Sequence, residues 1–310
     1  MKKAINVNKK ILHIVDSVDY ATTNCFQHQL TKTLSLVDKV KTVTLDQVLT
    51  HKISVNDYEQ ILSCLKQRTL FNNLKSLSVA LKNKSVVIYD QDPWSGFTDD
   101  SPYKDSYRLF FDNLNVKTFA VTTSWWTEFI KEQKLPATFV KMWVLPEYCS
   151  KEPAFVSRKI ELGFIGGLHS YRRMLIQELE KLDVYTHVTK GGLNYNDFLR
   201  KLSDIQCFIH AENSSVFINN ERFQFYANWV KNVEAASRGC FSVRKFDPEA
   251  ATYLGDIKTV LTYENVKEIP DLLENLQKMD PGERQLTIDT SVEYIREANV
   301  WQETAAALIL

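Results

Sequence analysis

Short apolar runs, separated by helix-length amphipathic stretches, set the rhythm of this chain. "KILHIVD" (10–16), "VKTVTL" (40–45), "SVVIYD" (85–90), "KTFAVTT" (117–123) and "FVKMWVL" (139–145) are rich in β-branched and aromatic residues. They are short enough to be strands. Between them, "NCFQHQLTKTLSLV" (24–37), "YEQILSCLKQRTLFNNLKSLSVAL" (58–81) and "SWWTEFIKEQK" (124–134) carry apolar residues at helical spacing, the last with Ser124 placed as an N-cap. The pattern restarts at "IELGFIGG" (160–167), a strand running into a glycine pair, and further strands are expected at 184–189, 205–211, 239–244 and 258–263. The matching helices are "SYRRMLIQELEKL" (170–182), "WVKNVEAASRG" (229–239) with Gly239 as its stop, 270–279 and 289–310. Continuous apolar strands alternating with helices predict parallel sheets covered on both faces.

The polar, proline-bearing stretch "LPEYCSKEPAFVSRK" (145–159) divides the pattern. We expect an α/β protein of two Rossmann-like domains, 1–147 and 148–288, with a C-terminal helix, 289–310, able to pack back on the first. A length of 310 residues suits two such domains. Two consecutive sheets would leave a cleft, and open α/β sheets bind ligands outside the carboxyl ends of their strands.

Composition narrows the function. Lys plus Arg equals Asp plus Glu, 38 against 38, so no overall field draws the chain to nucleic acid or an anionic membrane. Five cysteines at wide spacings form no C-x-x-C pair, which argues against a disulfide framework or a zinc site. "MKKAINVNKKILHIV" lacks the apolar stretch of a signal peptide, and no window reaches ~18 uninterrupted apolar residues. A cytoplasmic protein without a transmembrane segment is expected.

Five stretches can carry chemistry. In "GFIGGLHSYRR" (163–173) a strand ends at Gly166-Gly167 and a helix begins near Ser170. Glycines admit close backbone approach and a helix N-terminus favours an anion. Arg172 and Arg173 sit in the first helical turn, where cations oppose the macrodipole. A bound diphosphate would reconcile them; the bland alternative is a tight turn followed by a surface arginine pair. "KNVEAASRGCF" (231–241) places Glu234 beside small alanines, with Lys231 three residues earlier on the same face. Glu234 can accept from ribose hydroxyls, or simply pair with Lys231. "IHAENSS" (209–215) sets His210 and Glu212 at a strand end.

In the first half, "IVDSVDYATTN" (14–24) enters a helix through Asp16, Thr23 and Asn24, residues that can bind an acceptor or cap the helix, with His28 one turn further on. "YDQDPWSGFTDDSPY" (89–103) interleaves Asp90, Asp92, Asp99 and Asp100 with Trp94, Phe97 and Tyr103. Acids beside aromatics suit carbohydrate, since carboxylates accept from hydroxyls and rings stack on C–H faces; the alternative is a proline-stiffened loop with solvated acids.

Taken together, "VVIYDQDPW…YKDSYRLFFDNLNVKTFAVTT", "ELGFIGGLHSYRRMLIQEL" and "KNVEAASRGCFSV" resemble the CgeB-like (spore-maturation) glycosyltransferases, members of the GT-B superfamily. The family runs a strand into acid-acid-Pro-Trp, then shows "GF-G…RR…L" and an "R-FEA-A-G" helix. The resemblance covers residues 85 to 245 in order; the first 80 match only as a generic Rossmann-like start. Lys231 stands where the family helix has arginine and Val233 where it has an aromatic residue.

The resemblance implies a nucleotide-sugar donor (UDP-, GDP- or similar) held by Gly166, Gly167, His169, Tyr171, Arg172, Arg173, His210, Lys231, Asn232 and Glu234. It implies an acceptor held by Thr23, Asp90, Asp92 and Trp94, with Asp16, His28 or Asp92 available as general base and Arg172 stabilising the leaving group. Asp90-Gln91-Asp92 looks like the metal-binding pair of GT-A enzymes, but in a GT-B chain it falls in the acceptor-side domain, and no metal or other cofactor is expected. The acceptor is expected to be a glycan or glycoconjugate in preference to DNA. The alternatives are a phage-type glycosyltransferase of hydroxymethylated DNA bases and a non-catalytic glycan- or nucleotide-binding module. A dinucleotide-dependent redox enzyme is disfavoured because "GFIGGLHS" lacks G-x-G-x-x-G.

Overall fold

A computed structural model describes residues 9–17, 25–211, 215–224 and 229–309. The chain forms two compact units, one of residues 1–142, 215–225 and 299–310, the other of 143–214 and 226–298.

The first unit is built on a six-stranded parallel sheet. Its strands are β1 (Ile11–Val15), β2 (Val40–Thr44), β3 (Gln60–Ser63), β4 (Ser85–Asp90), β5 (Val116–Val121) and β6 (Ala137–Phe139), in the order β2-β1-β3-β4-β5-β6. Every residue of β1 and β3 is buried, as strands inside a doubly covered sheet must be. Ile11, Leu12 and Ile14 are fully enclosed, each contributing about 1.5–3 kcal/mol of hydrophobic burial. The helices are α1 (Cys25–Leu34), α2 (Leu45–Leu49), α3 (Gln67–Asn72), α4 (Leu74–Ala80), α5 (Ser106–Asn113) and α6 (Ser124–Glu132). The N-cap of α6 is Thr123, whose hydroxyl accepts from Trp126 N at 3.1 Å, one residue before the expected Ser124.

β3 corrects the sequence reading, which made 58–81 one helix. Ile61, Leu62 and Leu65 fit helical spacing as well as they fit a buried strand, and no glycine or proline punctuates that stretch. The buried pairing of β3 between β1 and β4 decides it.

The second unit holds a five-stranded parallel sheet of order β13-β12-β9-β7-β8. Its strands are β7 (Ile160–Gly166), β8 (His187–Lys190), β9 (Ile205–His210), β12 (Phe241–Lys245) and β13 (Val260–Tyr263). Its helices are α7 (Ser170–Glu180), α8 (Tyr195–Ser203), α9 (Val230–Ser237), α10 (Pro248–Leu254), α11 (Ile269–Lys278) and α12 (Pro281–Glu297). Gly239, at φ +65, ends α9: Cys240 N donates to Ala235 O and Gly239 N to Ala236 O, the paired bonds of a Schellman stop. The expected 289–310 helix is two: α12, and α13 (Val300–Ile309), which packs on α1 and β3 in the first unit. Gln60 Nε2 donates to Leu308 O at 3.1 Å there.

A two-stranded hairpin went unforeseen. β10 (Ser215–Ile218) and β11 (Glu221–Gln224) pair antiparallel around Asn219-Asn220, both at positive φ, +52 and +65, as a two-residue primed turn requires. The hairpin lies in the first unit. Ile218 is 4% exposed within that unit's core, with Val216 and Phe223 packed against it. Asp99 holds the turn: its carboxylate accepts from Asn219 N at 2.9 Å, Asn220 N at 2.8 Å and Lys104 Nζ at 2.6 Å. No helix among the described residues is long and apolar enough to cross a membrane.

Candidate functional site

In the second unit, β7 delivers the chain into Gly166-Gly167, and α7 starts three residues later. Gly166 sits at φ +156, and a Cβ there would come to 3.1 Å from the Phe164 ring. A Cβ on Gly191, after β8, would lie 3.3 Å from Gly166 C and Gly167 N, so the two turns touch backbone to backbone. His169 is the exposed N-cap of α7 and makes no side-chain capping bond, so the first-turn amides are not closed off by that side chain.

Arg172 turns back over this glycine turn. Its Nε donates to Ala211 O at 2.9 Å and its Nη1 to Gly167 O at 3.0 Å, with the guanidinium 5.6 Å from the Phe164 ring centroid. It therefore ties the end of β7 to the end of β9. Its Nη2 makes no hydrogen bond among the described residues. Arg173 is exposed and reaches Leu168 O at 3.3 Å, while Tyr171 is half-buried in the same turn.

From α9, Glu234 is fully enclosed. Its Oε2 accepts from Lys231 Nζ at 2.8 Å, and its Oε1 has no partner among the described residues. Lys231 lies 4.1 Å from the Phe198 ring centroid, a cation over an aromatic face. Small Ala235, Ala236 and Ser237 let α9 pack closely on α12. Asn232, also fully enclosed, faces His210 Nδ1 at 2.6 Å and donates to Ser242 Oγ at 3.1 Å. Arg244 Nη1 donates to Asn232 Oδ1 at 3.1 Å and Arg244 Nη2 reaches Asp247 at 3.3 Å. The other Asp247 oxygen caps α10 through Glu249 N and Ala250 N.

Of the residues expected from the sequence to hold a donor, Gly166, Gly167, His169, Tyr171, Arg172, Arg173 and His210 fall at the carboxyl ends of β7 and β9 and the start of α7. Lys231, Asn232 and Glu234 lie on α9: Asn232 meets His210, while Lys231 and Glu234 pair with each other and Lys231 sits over Phe198 of α8. Glu212 lies outside the described residues. Sequence reasoning missed Gly191, Ser242, Arg244 and Asp247. "KGG" after a strand and the Asp-Pro-Glu cap signature at 247–249 were visible signals for two of these; nothing local marks Arg244.

In the first unit the named residues fall at the carboxyl ends of β1 and β4. Asp16 Oδ2 accepts from Lys66 N at 2.8 Å, tying the end of β1 to the loop after β3. Asp90 accepts from Asp92 N at 2.9 Å and from the Tyr107 hydroxyl at 3.0 Å. Burial pushes its carboxyl pKa up, against those two bonds, and pushes the Tyr107 hydroxyl well up. Asp92 and Trp94 are exposed. A cavity of about 280 Å³ is lined by Gln27, Arg68, Asp90, Asp92, Trp94 and Tyr103, among others. His28, half-buried on α1, is not among its lining residues. Thr23 lies outside the described residues.

No family model and no curated relative match the chain. Solved structures do. HepE of Anabaena, crystallised with UDP and glucose, aligns with a TM-score of 0.62 at 9% identity, over 97% of this chain and 98% of that one. WaaG, a glycosyltransferase of lipopolysaccharide biosynthesis, aligns at 0.53 with 11% identity, over 96% and 99%. The DNA-modifying β-glucosyltransferase, solved with and without uridine diphosphoglucose, aligns at 0.52 with 14% identity, over 96% of each chain. At such identities the likeness is one of fold: two parallel-sheet α/β units of the GT-B kind. Similar folds host many functions, so activity has to be argued from the site.

Proposed function

We propose that this chain is a glycosyltransferase that moves a sugar from a nucleotide-sugar donor to an acceptor hydroxyl. The observation that carries the reading is Arg172, held by two carbonyls beside the glycine turn and the uncapped start of α7. That arrangement supports binding of a diphosphate, through first-turn amides and the guanidinium edge that makes no bond among the described residues. As the sugar–phosphate bond breaks, charge grows on the leaving diphosphate. Arg172, Arg173, Lys231 and the amides after Gly167 oppose it, each well-placed donor contributing roughly 2.7–4 kcal/mol.

Glu234 Oε1 supports the second half of donor binding. A buried carboxylate oxygen without a partner is costly, and a ribose hydroxyl would relieve it. The donor is a UDP- or GDP-type hexosyl or pentosyl nucleotide. On the acceptor side, Trp94 and Asp92 at the first unit's cavity suit a sugar ring, with Asp90 beside them; Thr23, outside the described residues, is proposed from the sequence alone as a further acceptor contact. Of Asp16, His28 and Asp92, we favour Asp92 as the base, because it is exposed at that cavity and Asp16 is spent on Lys66 N. The chain is proposed to be a CgeB-like, metal-independent enzyme of the cytoplasm that glycosylates a glycan or glycoconjugate.

A thermal-shift panel of UDP, GDP and their sugars tests this. A ligand at 100 times its Kd stabilises by about 2.7 kcal/mol. Arg172→Ala and Glu234→Gln are expected to lose that shift and Asp92→Ala to keep it. A shift retained by all three variants, or no shift with any nucleotide, overturns the reading. The fold shared with the DNA β-glucosyltransferase motivates one competing acceptor. Salt-dependent retardation of hydroxymethylated duplex DNA would favour it, since duplex binding rests on phosphate neutralisation.

A further inference from the structure

The wall of the first unit's cavity combines a fixed backbone with an unspent cation. Arg68 lies on α3 and lines that cavity of about 280 Å³. Its neighbours on the helix are tied to the stretch 95–106. Gln67 accepts from the Ser95 hydroxyl, and its Nε2 donates to Ser106 Oγ at 2.8 Å. The Phe71 ring meets the Tyr103 ring edge to face at 5.6 Å. Gly96 permits this approach, since a Cβ there would run into the Gln67 amide and come to 2.6 Å from the Tyr107 ring. Arg68 itself makes no hydrogen bond, ion pair or ring contact among the described residues. Local stability gives no reason for it: Arg68 sits in the first turn of α3, where a cation is unfavourable, and Lys66, at the N-cap, makes no side-chain capping bond. The exposed charges on the wall are Lys66, Arg68 and Asp92, two cations to one carboxylate, while both oxygens of Asp90 are engaged within the unit. Trp94, 39% exposed, gives the cavity an aromatic face.

We propose that the acceptor is a sugar carrying an anionic group, a carboxylate or a phosphate, and that Arg68 selects it by holding that group while Trp94 stacks on the ring. The catalytic use of this sugar rests on the glycosyltransferase reading; its binding does not. A guanidinium presents parallel N–H donors that match a carboxylate or phosphate in pairs, with a charge that no carboxylate of the protein neutralises here. An uncharged hexose would leave Arg68 facing water and gain nothing from the second cation at Lys66. The backbone of Arg68 is held before the sugar arrives, so binding orders little more than one side chain. A volume near the ~300 Å³ lower end of ligand pockets fits one sugar unit rather than a length of glycan. The anionic group therefore belongs to the sugar that receives the transfer.

The test is a ligand-observed NMR titration of the whole 310-residue chain, with and without added UDP or GDP. The probes are the methyl glycosides of glucose, galactose and mannose, the matching methyl uronides, and the matching 6-phosphates. At least one charged sugar is expected to bind about tenfold tighter than its uncharged counterpart, the worth of one charge-assisted contact. Whether the uronide or the phosphate binds tighter identifies the anionic group. Arg68→Gln, which breaks no bond among the described residues, is expected to abolish most of that difference. Acetate and inorganic phosphate alone are expected to bind more weakly than the charged sugar. Equal affinity for charged and uncharged sugars, a preference that survives Arg68→Gln, a simple anion that binds as tightly as the sugar, or no sugar binding under any condition overturns the proposal. A preference for charged sugars in a protein that binds no nucleotide refutes the glycosyltransferase reading and leaves the sugar site standing. Nucleotide binding without that preference refutes the role of Arg68 alone.

Discussion

Asp90, at the end of β4 in the first unit, and Glu234, on α9 in the second, are both carboxylates taken out of water, and the two units use them in opposite ways. At the end of β4, both Asp90 oxygens are engaged within the first unit, one by Asp92 N and one by the Tyr107 hydroxyl. That acid shapes its loop, and the exposed Asp92 and Trp94 are what the loop presents. In the second unit, the polar groups are fixed with some capacity unspent. Glu234 keeps an oxygen without a partner among the described residues, and Arg172 makes its two bonds through Nε and Nη1. A buried group satisfied on every side is architecture. On the reading proposed above, the oxygen Glu234 leaves unpaired among the described residues is the one a ligand would take, at a cost in stability that the rest of the fold offsets.

The largest test of this contrast is Lys231→Ala, which strands the enclosed Glu234 carboxylate. We expect a loss of about 3 kcal/mol in urea denaturation, recovered in most part by adding Glu234→Gln. Equal stability of the single and double variants would show that Glu234 does not need its cation. Next is His13, buried in β1, with its pKa lowered by burial to about 3. In the unfolded chain it titrates near 6.5, so protons bind the unfolded state first as pH falls. Its contribution is full above pH ~6.5 and drains towards pH 3, about 2 to 3 kcal/mol being gone by pH 4.5. Replacing it, as in His13→Gln, should flatten the stability difference measured between pH 7 and 4.5; an unchanged slope contradicts the assignment.

Tyr107→Phe removes one of the two donors to Asp90 and should cost about 1–2 kcal/mol, leaving nucleotide-induced thermal shifts intact. A change in those shifts would blur the division between the units. The smallest expected effect is at Asp99, held at about 2 by Lys104 first and by the Asn220 and Asn219 amides. A carboxyl lowered in the folded state stabilises above its unfolded value near 3.9, and loses that as pH falls through about 2. Asp99→Asn should raise hydrogen exchange in 215–224 at neutral pH, with little change elsewhere.

Much of this was legible in the sequence. The strand-helix alternation gave both parallel sheets, because buried parallel strands read as unbroken apolar runs such as "SVVIYD" and "IELGFIGG". β3 was not legible, since four buried residues without punctuation fit either period. Hairpin β10–β11 was missed because its partners are remote: Asp99 lies 120 residues from Asn219, and the core that takes up Ile218 is drawn from the first 135 residues. Gly166, Arg172 and Glu234 could be singled out because each departs from what local stability asks of its position. Arg244 could not, since a charged residue at a strand end is ordinary until its partner, Asn232, is known. Local rules find residues that break them and are silent about partners brought together by the fold.

The hairpin has a practical consequence for anyone dissecting this molecule. A polypeptide cut after residue 142 would carry the whole six-stranded sheet and yet lack Ile218, Phe223 and the terminal helix with Trp301 and Leu308. Such a fragment would expose the slots those side chains fill and is expected to clump on expression. A usable half-molecule requires grafting 215–224 and 299–310 back through short artificial linkers, and the second unit then needs its own bridge across the gap the excised ribbon leaves.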